Sequence, residues 1–382
     1  METLYLVAGV GILLVASELA VAFIAYPIAR GISYYDLYRP GEDTQWMFVF
    51  VFHPKRGFTL RPNMRYSNPT TEDPNGPRRI FLVDVRTDEN AFVSNCSIDD
   101  LKGKLIFCLG GSTTMGSEAR FDKTYPAELG KLVSELGYTC VNAGTGAYRS
   151  IHELITLKQE ILPRNPWGVI IFSGYNDFED FAYGISKPYN PFTHSVRYAV
   201  PGSRLEQLLF NSALIHVTRR ALKILFKERR RTEAPPPTGV PELRKALENP
   251  RWLEEWRTNV TEMIRACKAK GVRAFLLAHV SPVYPGASNA AKELADRELL
   301  MKGRFDLFVE YVALINREAQ RLCEETGATY IDISADYERL FLKAGTMDYV
   351  SRYSDFVDRM HFTETGNRHI AQLIFDKLIP EL

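Results

Sequence analysis

Apolar and polar positions in this chain follow two rhythms. From Lys104 onward, short β-branched or apolar runs recur as KLIFCLGG, TCVNAG, GVIIFSG, RAFLLAHV and TYIDI. The stretches between them return apolar residues at helical spacing, which predicts helices over residues 125–136, 150–162 and 252–270, with another at 365–378. Before the fifth run, Phe305, Phe308, Val309, Val312, Ile315, Ala319 and Leu322 share one helical face. Strands alternating with helices predict an α/β fold, a parallel sheet covered by helices on both sides.

Three segments break that rhythm. Residues 4–29 read LYLVAGVGILLVASELAVAFIAYPIA, a length that spans a bilayer as a helix, with Glu18 its single charge. A carboxylate there is costly and marks a partner helix or protonates in place. A cleaved signal peptide is the rival reading, but the segment lacks a basic start and runs longer than a usual signal core; a buried core helix is a third, weaker reading. Residues 32–100 are rich in aromatics, Pro and Asn, with strand-like WMFVFVF and IFLVDV flanking a turn-rich stretch. Residues 178–249 interrupt the later alternation with FEDFAYGISKPYNPF, an apolar helix near 205–226 and the run KERRRTEAPPP. That basic run reads as a solvated helix end, or more sharply as a contact for anionic lipid headgroups. The expected organisation is an anchor at 1–30, a small β-rich ancillary segment at 31–100, and a main domain at 101–382 carrying the insertion at about 178–249.

Composition narrows the classes. The 382 residues hold 47 Lys plus Arg against 46 Asp plus Glu, so no whole-chain field attracts nucleic acid or an acidic polymer. The five cysteines, Cys96, Cys108, Cys140, Cys267 and Cys323, are scattered and show no C-x-x-C spacing, which argues against a zinc knuckle or disulfide framework. His53, His152, His194, His216, His279 and His369 lack metal-type spacing, and no phosphate-cradling or dinucleotide fingerprint follows any strand. No cofactor and no metal is expected. His279 ends the fourth strand and is a candidate for lining a pocket.

Four turns at predicted strand ends carry the chemistry. The first strand ends in Gly110-Gly111-Ser112-Thr113, where a serine hydroxyl can project above the carboxyl edge of the sheet. The second ends in Asn142-Ala143-Gly144-Thr145-Gly146-Ala147 and the third in Gly174-Tyr175-Asn176-Asp177. Near the C-terminus stands Asp358-Arg359-Met360-His361, followed by Phe362-Thr363. A carboxylate three residues before a histidine can hold one imidazole nitrogen while the other faces a nucleophile. Each turn alone has a plainer reading: a helix cap for Ser112, Asp358 and Thr363, ordinary turns for the Gly and Asn loops. Together, and in this order, they supply a nucleophile, oxyanion donors, a base and its orienting carboxylate.

These motifs resemble blocks I, II, III and V of the SGNH (GDSL-like) serine hydrolase superfamily, over roughly residue 104 to the C-terminus. The resemblance implies a flavodoxin-like three-layer αβα sandwich. It implies Ser112 as nucleophile, His361 as general base, Asp358 as its partner, and an oxyanion hole of the Ser112 amide, a block II amide and Asn176. Block I departs from the usual G-D-S, with Gly111 where the aspartate stands. Block II has Ala147 where a glycine is usual, so Ala147 is the amide donor if its backbone angle suits a Cβ, and Gly146 if the register shifts by one. HPKRGFTLRPNMRY and a later NAF also resemble the upstream region of membrane-anchored members.

The expected activity is hydrolysis of acyl esters, O-acetyl among them, of a lipid or carbohydrate through an acyl-enzyme. The alternatives are an O-acyltransferase acting on a cell-envelope polysaccharide, and a non-catalytic membrane-tethered scaffold with a helix partner at Glu18. Arg30 and Arg39 after the span, against Glu2 before it, bias the main domain toward the cytoplasm. The upstream resemblance implies the extracytoplasmic side.

Overall fold

The five apolar runs form one parallel sheet. The structure, a computed structural model, describes residues 2–25, 49–67, 84–182, 212, 214, 215, 218, 240–249, 251–299, 301, 303–343 and 345–382, with side chains in the first helix from Gly9 to Ile24. Four short strands come first: β1 (Phe50–His53), β2 (Gly57–Leu60), β3 (Arg65–Ser67) and β4 (Asp84–Arg86). They pair antiparallel, β1 with β2 and β3 with β4. The sheet follows with β5 (Lys104–Gly110), β6 (Tyr138–Gly144), β7 (Gly168–Phe172), β8 (Arg273–Leu277) and β9 (Thr329–Ile331), in spatial order β6-β5-β7-β8-β9. Counted within the sheet this is the flavodoxin-like order 2-1-3-4-5.

That order dictates the layers. The chain crosses from β5 to β6 in one direction, then from β6 past β5 to β7 in the other. Right-handed crossovers therefore put the intervening helices on opposite faces. The Tyr125–Val133 helix packs with the C-terminal Glu364–Leu378 helix, while Ser150–Thr156 and Phe305–Thr326 each pack against Arg251–Ala269. The helix expected at 125–136 closes as a 3-10 turn over Ser134–Leu136, and the one expected at 150–162 passes into a π-helix at Leu157–Ile161. The sheet is apolar on both faces, as strands sandwiched between helix layers must be. Ile106, Phe107, Cys108 and Leu109 of β5 and Val169, Ile170 and Ile171 of β7 are all fully buried.

The ancillary strands build a second, smaller core. Val49, Phe50, Phe58, Leu60, Met64, Tyr66 and Val85 bury against Met115 and Tyr148, which belong to the turns after β5 and β6. The upstream segment thus packs directly under the loops that carry blocks I and II. Part of the expected IFLVDV strand, the helix near 205–226 apart from a few positions, and the basic run at 227–237 lie outside the described residues.

The span expected over residues 4–29 is not found: among the described residues no helix is long and apolar enough to cross a membrane. What forms is an α-helix over Glu2–Ala20 that passes into a π-helix at Val21–Ala25. Its charge has an intramolecular partner. Glu18 accepts hydrogen bonds from the Ser212 hydroxyl at 2.6 Å and the Leu214 amide at 3.0 Å, so the carboxylate holds the insertion to the N-terminal helix.

Candidate active site

The register of the sheet brings three of the four turns together. Gly110 at the end of β5 pairs with Gly144 of β6 on one side and Phe172 of β7 on the other. Because the connections leaving the neighbouring strands β5 and β7 run in opposite directions along the sheet, the crevice between their carboxyl ends is the topological switch point where α/β sheets place their ligands. Ser112 stands there as the first residue of a short helix, Ser112–Met115, capped at its end by Gly116 with φ 76°. The turn is tight enough to demand glycine before it: a Cβ on Gly110 would meet the Phe172 carbonyl oxygen at 2.6 Å. A Cβ on Gly144 would meet the Thr114 carbonyl carbon at 2.6 Å.

The fourth turn arrives from the far end of the chain. His361 Nε2 lies 2.8 Å from Ser112 Oγ, and His361 Nδ1 lies 2.8 Å from Asp358 Oδ2. With the Nδ1 proton donated to Asp358, Nε2 is left to accept from the serine hydroxyl. The second Asp358 oxygen accepts from the amides of Met360 at 2.8 Å and His361 at 2.9 Å, which curls the Asp-x-x-His segment around its own carboxylate. The Val357 amide donates to the His361 carbonyl at 2.9 Å, and Phe356 and Phe362 pack with ring centres 5.2 Å apart across the base of the loop. Thr363 caps the C-terminal helix through Gly366, and Asn367 accepts from the Tyr125 amide at 2.7 Å, which pins that helix to the start of the Tyr125–Val133 helix.

Charge in this line is unevenly shared. Burial works to raise the Asp358 pKa, but the imidazole beside it, Arg359 and the His361 amide hold the carboxyl well below its usual range. Burial works to lower the His361 pKa, yet the Asp358 charge and hydrogen bond, with Glu118 nearby, bring the net direction upward.

Asn176 is the second residue of the Tyr175–Ala182 helix after β7, entered through Gly174 at φ 128°. Its Nδ2 donates to the Tyr148 carbonyl at 2.8 Å, and it lines the same cavity as Ser112. The block II and block III loops are tied beneath it. Asp177 accepts from the Ser150 amide at 3.0 Å and hydroxyl at 2.6 Å, and Asn259 donates to the same hydroxyl at 2.9 Å. Tyr148 in turn donates its hydroxyl to the Phe58 carbonyl at 2.8 Å, so β2 braces the block II loop.

Ala147 adopts φ 61°, the left-handed conformation that suits a glycine at the equivalent turn. Ala147 and Gly146 are absent from the residues found to line the Ser112 cavity, where Tyr148 represents block II. A Cβ on Gly146 would instead face the Phe50 ring at 3.1 Å. Of the expected site residues, the structure gathers Ser112, Asp358, His361 and Asn176 directly, and leaves Gly146 and Ala147 on the turn behind them.

His279 lines the cavity from the end of β8, as its place after the fourth apolar run suggested. Its Nε2 lies 2.9 Å from the Ser173 carbonyl, and burial pushes its pKa down to about 4, so it is a neutral wall rather than a second base. Two nearby groups carried no sequence signal. Arg359, inside the Asp-x-x-His motif, donates to the Tyr175 hydroxyl and to Glu179, each at 2.6 Å, and so clamps the Asp358–His361 loop to the helix bearing Asn176. Glu118 is buried beside His361, with one carboxylate oxygen lacking any partner among the described residues. The described residues contain no group of three or more His, Cys, Asp or Glu able to hold a metal ion.

No family model and no curated protein matches the sequence. Among solved structures, the chain is similar to Axe2, an acetylxylan esterase from Geobacillus stearothermophilus, at 14% identity and TM-score 0.42 over 72% of this chain and 94% of that one. It is also similar to TesA, at 12% identity and TM-score 0.40 over 73% of this chain and 100% of that one. A putative lipolytic protein of G-D-S-L family from Desulfitobacterium hafniense DCB-2 matches at 13% identity and TM-score 0.38 over 72% of this chain and 99% of that one. Likeness at this level assigns nothing to this chain; its own geometry must carry the chemistry.

Proposed function

We propose that the protein is a serine esterase working through an acyl-enzyme, with Ser112 as nucleophile, His361 as general base and Asp358 as the group that orients it. The observation that carries this reading is the unbroken Ser112–His361–Asp358 line, with both hydrogen bonds at 2.8 Å. As the Ser112 oxygen attacks the ester carbonyl, its proton passes to His361 Nε2 and the imidazolium is stabilised by Asp358. The carbonyl oxygen takes up the negative charge and is met by the free proton of the Asn176 amide and by the Ser112 amide at the start of its helix. Collapse expels the alcohol, which takes the proton from His361. Water then repeats the sequence against the acyl-serine, and the acid leaves with Ser112 regenerated.

Membrane attachment belongs to the same proposal. Ile12, Leu13, Leu14 and Val15 of the N-terminal helix are each more than half exposed, and apolar side chains so displayed favour a lipid surface over water. Sedimentation of the full chain with membranes, and its release only by detergent, tests this part separately.

The esterase reading is tested by labelling with a fluorophosphonate and by hydrolysis of activated esters. Ser112→Ala is expected to abolish both while the protein unfolds at an unchanged temperature. Labelling that persists at another residue overturns the assignment.

A further inference from the structure

We propose that the cavity beside Ser112 is an acyl pocket that accepts a two-carbon acyl group and excludes chains of four carbons or more. The inference rests on the esterase reading and adds the acyl class. An ester bound for attack must put its alcohol oxygen within reach of His361 Nε2, because that nitrogen protonates it. The acyl substituent then points to the other side of Ser112, into the cavity lined by Phe172, His279, Phe308 and Tyr311.

That cavity is small. The cavity measures about 30 Å³. One water needs at least about 10–15 Å³ of such volume, so there is room for roughly two. An acetyl methyl fits, whereas the two further methylenes of a butyryl chain demand space that is already occupied.

The walls are also stiff. Phe172 comes from the end of β7, His279 from the end of β8, and Phe308 and Tyr311 from the Phe305–Thr326 helix, with Tyr175 opposite them. Their rings interlock. Phe172 sits 4.6 Å from His279, His279 5.9 Å from Tyr311, and Tyr175 6.0 Å from Phe308 and 5.8 Å from Tyr311. Enlarging the pocket on this side means moving strand ends and a long helix, and packed cores resist that.

The test is kcat/KM of the full chain on p-nitrophenyl acetate, butyrate and octanoate, with fluorophosphonate labelling of Ser112 in parallel. Acetate should exceed butyrate by about tenfold or more, in line with the worth of a misfit methylene, and octanoate should be barely turned over. Val312→Ala and Phe308→Ala, which cut back the helix wall, should raise the butyrate-to-acetate ratio by about fivefold. Octanoate cleaved as well as acetate by an enzyme whose Ser112 is labelled overturns the pocket and leaves the esterase standing. Absence of both labelling and cleavage overturns the esterase reading and the pocket with it. An unchanged ratio in folded Val312→Ala and Phe308→Ala overturns the placement of the acyl chain against this helix.

Discussion

The Asn176 side-chain amide lies so close over Gly111 that a methyl group on Gly111 would sit 2.8 Å from its nitrogen. Any side chain at Gly111 must therefore push the Asn176 amide aside. Gly111→Ala and Gly111→Asp should each lower kcat by about tenfold or more, and Asn176→Ala by about a hundredfold. Since both act through one amide, Gly111→Ala added to Asn176→Ala should cost little more, a non-additivity that a double-mutant cycle reads directly. Full additivity would place the Gly111 effect elsewhere.

The pH profile should report the pairing of His361 with Asp358. His361 must be neutral to take the serine proton, and its net pKa shift is upward, so activity should rise with pH through a midpoint above the ordinary histidine value of about 6.5. Asp358→Asn removes the charge that raises it, leaving burial to push the pKa down. The midpoint of kcat/KM should then move to lower pH while turnover falls, on the order of ten-thousandfold. A midpoint that stays in place would remove Asp358 from the pair.

Glu118 should make stability depend on pH in the direction opposite to a typical carboxylate. Burial pushes its pKa from 4.5 up to about 7, with Asp358 adding to the rise and His361 working against it. A group whose pKa is raised on folding favours the native state when protonated. Its contribution is therefore fully present below pH 4.5 and lost as pH climbs through about 7. The loss is on the order of 3 kcal/mol at 1.36 kcal/mol per unit. Glu118→Gln should flatten the unfolding temperature across that window relative to the parent, as thermal melts at several pH values would reveal. An equal slope in both proteins would discount the buried carboxyl.

Ala147 carries backbone strain at φ 61°. The left-handed conformation costs an alanine about 1–2 kcal/mol, and glycine avoids this at an entropic cost of about 0.4–1 kcal/mol. Ala147→Gly should hold or raise stability by up to about 1 kcal/mol, while Ala147→Val should lower it by more than that, measured by urea denaturation. A destabilised glycine variant would mean that the Cβ contributes packing worth more than the strain.

Much of the fold was legible because its signals are local. Apolar runs of strand length alternating with helical spacing predicted the β5–β9 sheet and its helices to within a turn, and Asp358 and His361 stand three residues apart whatever surrounds them. The N-terminal segment was harder to read. Its composition predicts a span, yet the described residues contain no helix meeting that requirement, and Glu18 finds Ser212 and Leu214 of the same chain across almost two hundred positions.

By itself, the sequence determined the strand-and-helix alternation, the four turns at strand ends and the residue types each turn offers, all of them consequences of backbone propensity and short-range spacing. Tertiary structure alone decided what those turns do together. It set His361 2.8 Å from Ser112, laid Asn176 over Gly111, drew Arg359 to Tyr175 and Glu179, and closed the aromatic wall around about 30 Å³. Such distances follow from the order in which strands stack and from side chains filling space across the sheet, and no periodicity along the chain encodes them.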